Sequence, residues 1–129
     1  MMKERDSAIE GARIFVVEDE SVITMLLQDM FEELHCEVVS LASRFQDALE
    51  KANTLAFEVA ILDVNLNGQR TFPIAEALQA RGLPFIFATG YGAAAVPENF
   101  RAAPVLQKPF RIADLERAVR TALALPPAA

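Results

Sequence analysis

Five short apolar runs punctuate the chain, at residues 14–17 (IFVV), 38–41 (VVSL), 59–62 (VAIL), 85–88 (FIFA) and 105–106 (VL). They are largely continuous rather than alternating and rich in Val, Ile and Phe, the pattern of strands covered on both faces. Between them, apolar residues recur every three or four positions. Ile23, Leu26, Leu27, Met30 and Leu34 form one such stripe, opposite Gln28, Asp29, Glu32 and Glu33. Ile112, Leu115, Val119 and Leu123 form another, opposite Arg111, Asp114, Arg117 and Arg120. Phe45, Leu49 and Ala52 predict a helix that Ser43 would cap. A further helix is predicted from about 72 to 81, with Pro73 in its first turn and Gly82 at its end. The segment 93–103 carries the weakest pattern, because Pro97 interrupts it; a short, frayed or mobile helix is expected there.

Strand and helix thus alternate five times over. Alternation of this kind implies crossover connections and a parallel sheet between two helical layers. The fold class expected is α/β, flavodoxin-like: a five-stranded parallel sheet in the order 2-1-3-4-5, with five helices on both faces. One domain spans 1–129, with its core at about 12–125 and loosely held ends at 1–11 and 126–129.

Composition narrows the function. The 129 residues suit one domain able to bury a core without disulfides, and a single cysteine, Cys36, excludes both a disulfide framework and a cysteine metal cluster. A net charge of -6 argues against nucleic acid as a partner. No apolar run reaches the roughly 18 residues of a membrane span, and the N-terminus has no apolar signal core, so a cytoplasmic protein without a membrane partner is expected. The acids are uneven: residues 1–64 hold 14 acids and 5 bases, residues 65–129 hold 4 and 7. Either helix surfaces have drifted in composition, or some acids are gathered for chemistry.

In an open parallel sheet, ligands bind beyond the carboxyl ends of the strands. The first run ends in Glu18-Asp19, the third in Asp63, the fourth in Thr89, and the fifth leads into Lys108-Pro109. Carboxylates held together repel unless a cation sits among them, and oxygen ligands without Cys or His favour Mg²⁺. Such a metal would leave one Asp63 oxygen free to attack phosphorus, with Lys108 and Thr89 holding the transferred oxygens. Taken alone, the acids at 18–20 read more readily as a cap and favourable charge at the start of the first helix. His35 and Cys36 read as a solvent-side residue and a packing residue, and the nine Phe as core.

This order of residues resembles the receiver domain of two-component response regulators over roughly 12–125. It is carried by Glu18-Asp19 after IFVV, Asp63 after VAIL, Thr89 in FATG, and Lys108-Pro109-Phe110. The resemblance implies that Asp63 is the phosphoacceptor, Asp19 a direct Mg²⁺ ligand, Glu18 a ligand through water, and the Asn65 main-chain carbonyl a further ligand. It implies that Thr89 is the switch hydroxyl, that Lys108 contacts the phosphoryl group, and that the Lys108–Pro109 bond is cis. Phosphorylation would bias a face built from the fourth helical segment, the fifth strand and the last helix. Arg101, Arg111, Arg117 and Arg120 lie on or near it.

The chain departs from common receivers at Val105, three positions before the lysine, where an aromatic residue usually reports on the switch hydroxyl. The stretch 84–91 (PFIFATGY) resembles the PFxFATGY signature of FATGUY receivers, and Asp63–Gly68 (DVNLNG) is also like that group. That resemblance implies a histidine kinase of the HWE or HisKA2 class; a downstream protein or phosphotransferase and a monomer or weak dimer are expected besides. Tyr91, between Gly90 and Gly92, either replaces the missing aromatic as a mobile reporter or covers the loop as a static ring.

The leading expectation is a stand-alone phosphoacceptor that works by binding or as a phosphate sink, with self-catalysed phosphotransfer and autodephosphorylation only. One rival is an Mg²⁺-dependent phosphatase of the haloacid-dehalogenase type, opposed by Asn65 where those enzymes place a second acid. The other is a phosphorylation-independent binding module, opposed by the complete set Asp19, Asp63, Thr89 and Lys108.

Overall fold

A computed structural model describes residues 8–124. Its sheet comprises β1 (Arg13–Val17), β2 (Glu37–Ala42), β3 (Val59–Asp63), β4 (Phe85–Thr89) and β5 (Val105–Gln107), all parallel, in the order β2-β1-β3-β4-β5. This is the expected flavodoxin-like order. The helices are α1 (Ser21–Glu33), α2 (Phe45–Thr54), α3 (Phe72–Ala80) and α4 (Ile112–Ala122). Among the described residues no helix is long and apolar enough to cross a membrane.

Successive residues of a strand face opposite ways, so each central strand feeds two cores. Ile14, Val16, Ile61, Ile86 and Leu106 pack with Leu27 and Phe31 of α1 and Leu115 and Val119 of α4. Phe15, Val17, Leu62, Phe85 and Phe87 pack on the other face with Ala48 and Ala52 of α2 and Ile74 and Leu78 of α3. Every residue of β3 and β4 is buried, whereas the edge strand β2 is partly exposed. All nine Phe are buried or partly buried.

Five expectations need correction. The segment 93–103 forms no α-helix: it folds into two 3₁₀ turns, Ala93–Ala95 and Glu98–Phe100, so four α-helices stand where five were expected. Pro97 precludes a continuous amide ladder, and Phe100, 2% exposed against Phe72, Phe85 and Phe87, pins the second turn. In α1 the buried face is Leu27 and Phe31 with Ile23 and Met30, while Leu26 joins Val22 and Met25 in solvent. The cap of α2 is Arg44 rather than Ser43. Arg120 is buried, 5% exposed, with Nε 3.9 Å from Glu116 Oε2, and does not lie on the polar face of α4.

The N-terminal end also differs from expectation. Residues 8–11 are not loose. Ile9 is 1% exposed, its carbonyl accepts a hydrogen bond from the Cys36 thiol at 3.4 Å, and the Gly11 amide donates to the His35 carbonyl at 2.7 Å. The rest of the expected tails, 1–7 and 126–129, and the end of the expected core at 125, lie outside the described residues.

Candidate functional site

The parallel strands bring Glu18-Asp19, Asp63, Thr89 and Lys108 to one edge of the sheet, as their places in the sequence predict. A cleft of about 760 Å³ opens there, lined by Asp19, Glu20, Asp63, Asn65, Thr89, Tyr91 and Lys108, with Arg70 at its rim. Lys108 spans it: Nζ lies 3.2 Å from Glu18 Oε1, 3.2 Å from Asp63 Oδ2 and 3.7 Å from Glu20 Oε1. Its stem leaves β5 just ahead of a cis Lys108–Pro109 bond, the isomer that the resemblance implies.

Glu18, Asp63 and Asp19 are also each held by a main-chain donor. The Glu20 amide donates to Glu18 Oε2 at 3.1 Å, the Asn65 amide to Asp63 Oδ1 at 3.2 Å, and the Asn67 amide to Asp19 Oδ2 at 2.9 Å. Glu18, Asp19 and Asp63 each offer an oxygen within 4.8 Å of the others. Three convergent oxygen donors, two of them nearly buried, with neither His nor Cys in the cluster, suit a hard divalent cation such as Mg²⁺.

Crowding shows in the protonation of these groups. Burial first, and the neighbouring Asp63 carboxylate second, push the Glu18 carboxyl up to about 7; the Glu20 amide and Lys108 oppose this without cancelling it. Burial works against the Lys108 ammonium, yet Glu18 and Asp63 together outweigh it, and its pKa is raised.

The Glu18 shift has a sign that can be tested. A folded-state pKa above the ordinary 4.5 means the proton stabilises the folded chain, fully below that value and no longer once the pH has passed about 7. Without divalent cations, the protein is expected to lose on the order of 2 kcal/mol of stability between roughly pH 5 and 8. Thermal melts should show this slope in wild type, a much flatter one in Glu18→Gln, and recovery at high pH on adding Mg²⁺. Equal slopes in both proteins would refute the assignment.

The geometry reveals participants that the sequence pattern did not. Asn65–Leu66 pairs antiparallel with Gln69–Arg70 in a hairpin turned by Asn67 (φ 53°) and Gly68 (φ 86°). Asn67 Nδ2 donates to the Ser43 carbonyl at 2.9 Å while its amide holds Asp19, so this tip ties three loops together. Thr71, 0% exposed, donates its hydroxyl to the Asp63 carbonyl at 2.7 Å and closes the hairpin on the end of β3. The Asn-Gly pair at 67–68 was the available signal, since it favours a tight hairpin with positive φ.

Thr89 is 3% exposed and its Oγ1 accepts the Tyr91 amide at 3.0 Å. Tyr91 is 84% exposed. Gly92 has the positive φ (74°) that suits glycine, and a Cβ there would press within 3.3 Å of Gln107 Oε1 on β5. Val105 is partly buried on the Phe87 face of the sheet. Arg101, Arg111 and Arg117 are exposed, the last bonded to Asp114 at 2.7 Å.

Comparison with known proteins agrees with this arrangement. The family model of the response regulator receiver domain matches residues 14–120. The chain is 34% identical to the transcriptional regulatory protein TdiR of Thauera aromatica, in a match covering 89% of this chain and 52% of that protein; it thus spans about half of that relative's length. The solution structure of SdrG from Sphingomonas melonis Fr1 superposes with a TM-score of 0.78 at 41% identity, over 88% of this chain and 97% of that one. The BeF3-activated conformation of SdrG, attributed to Pseudomonas melonis Fr1, gives 0.74 at 42%, over 86% and 95%.

Proposed function

The chain belongs to the response regulator receiver domain family, and from that premise we propose that it is a phosphorelay component whose Asp63 accepts a phosphoryl group from a histidine kinase. The observation that carries this reading is the Lys108 ammonium held 3.2 Å from both Glu18 and Asp63, with Asp19 in the same oxygen cluster. In the transfer, an Asp63 carboxylate oxygen attacks phosphorus. The P–N bond to the donor imidazole breaks, and its electron pair returns to the ring nitrogen. Water later cleaves the acyl phosphate and restores the carboxylate.

Glu18, Asp19, Asp63 and the Asn65 carbonyl would hold Mg²⁺, which when bound supplies positive charge to the phosphoryl oxygens. Lys108 holds one of those oxygens. Thr89 gives up its bond to the Tyr91 amide and turns toward another, and the loop at 90–92 follows. The message passes to the face formed by the 3₁₀ turns at 93–100, β5 and α4, where a downstream protein or phosphotransferase binds. The PFIFATGY stretch supports a FATGUY-type receiver served by an HWE or HisKA2 kinase in the cytoplasm.

With Val105 unable to swing a ring, Tyr91 serves as the mobile reporter. Tyr91 is the sole tyrosine and the chain has no tryptophan, so tyrosine emission reads this ring alone. Beryllofluoride with Mg²⁺ should change emission intensity and collisional quenching by acrylamide; unchanged signals at full occupancy would mark a static ring.

The functional reading itself is tested by phosphotransfer profiling. A histidine kinase of the source organism, labelled on its histidine, should pass the label to wild type within seconds to minutes and not to Asp63→Asn. Failure of every such kinase to label the wild type would overturn it.

A further inference from the structure

Resting on that reading, we infer that Arg70 binds the phosphoryl group of the incoming donor, as a second cation lining the cleft that holds Lys108. Asn65 and Arg70 are register partners in the hairpin, and directly opposed residues of an antiparallel pair project to the same face. Both line the cleft, while Leu66, one residue along, is 0% exposed on the opposite side. The Arg70 backbone is fixed relative to the acceptor. Its neighbour Thr71 is bonded to the Asp63 carbonyl at 2.7 Å, and the hairpin tip is bonded to Asp19 at 2.9 Å.

Charge makes the ligand an anion. Glu18, Asp19 and Asp63 are offset by Lys108 and one divalent cation, which leaves the approach of a dianionic phosphoryl group uncompensated. Lys108 and Arg70 are the cations lining the cleft among the described residues, and Lys108 is already engaged by Glu18 and Asp63. Arg70 is exposed and has no ion pair with any described residue, so its guanidinium is available. Its planar fork matches two phosphoryl oxygens at once. Arginine cannot ligate Mg²⁺, and its charge opposes metal entry; the two effects of removing it therefore have opposite signs.

The test compares wild type, Arg70→Gln and Arg70→Lys, each confirmed as folded by its melting temperature. Phosphorylation by acetyl phosphate is followed by intact mass, and Mg²⁺ affinity by calorimetry. R70Q should phosphorylate about tenfold more slowly at subsaturating donor, R70K should recover most of that rate, and both should bind Mg²⁺ at least as tightly as wild type. A wild-type rate in R70Q would overturn the inference. So would parallel loss of rate and Mg²⁺ affinity, which marks a merely structural role for the hairpin. Either result leaves the phosphoacceptor reading intact, whereas a wild type that binds Mg²⁺ and gains no phosphoryl mass removes both.

Discussion

Lys108→Met is expected to slow phosphorylation of Asp63 by a small acyl phosphate by about 100-fold or more while leaving Mg²⁺ binding intact. The ammonium is a fixed positive charge 3.2 Å from Asp63 Oδ2, and methionine keeps the stem's packing while removing that charge. Metal affinity should hold or rise, because a cation competing for Glu18 and Asp63 is gone. Stability should fall as well, by about 2 kcal/mol near pH 8, since Glu18, 3% exposed, loses its ion-pair partner. Near pH 6 the loss should shrink, because the Glu18 carboxyl, pushed up to about 7, then carries its own proton. Lys108 itself stays charged throughout: its raised pKa means that its contribution is lost only in alkali. Melts at both pH values, beside rates at saturating Mg²⁺, check each part.

The largest effect on folding is expected from Phe87→Ala. Phe87 is 0% exposed in the middle of β4 and meets Phe72, Phe85 and Phe100 at ring centroid distances of 5.8, 5.4 and 5.6 Å. Truncating a ring in such a cluster costs about 3–5 kcal/mol, part transfer energy and part cavity. For a domain of this size that is a drop in melting temperature of roughly 10–20 °C. The damage should also reach the 93–103 segment, because Phe100 anchors the second 3₁₀ turn on this ring. Local loss of amide protection at 93–103 is expected beyond the global change, and hydrogen exchange would show it.

The sheet was legible because a strand buried on both faces has to be a continuous apolar run, and β1, β3 and β4 obey that. The site was legible for the same reason: Asp63 and Thr89 are polar residues placed where apolar runs stop. What misled was phase and charge. In α1, Val22, Met25 and Leu26 are apolar yet exposed, so two stripes about a third of a turn apart compete, and Phe31 reveals the buried one only through packing. Arg120 reads as surface because charges rarely enter a core, and nothing local announces that Glu116 accompanies it inside. Ile9 docks as a single apolar residue, which has no period to detect. The hairpin at 65–70 left one local signal, Asn67-Gly68, but its bonds to Asp19 and Ser43 are long-range and invisible to spacing.

The identity of the acceptor is tested most directly by intact-protein mass after incubation with Mg²⁺ and acetyl phosphate, wild type beside Asp63→Asn, with the modified peptide mapped. Wild type should gain one phosphoryl group, lodged on Asp63, and Asp63→Asn should gain none. A wild type that binds Mg²⁺ yet gains no mass, or an equal gain in Asp63→Asn, would contradict it.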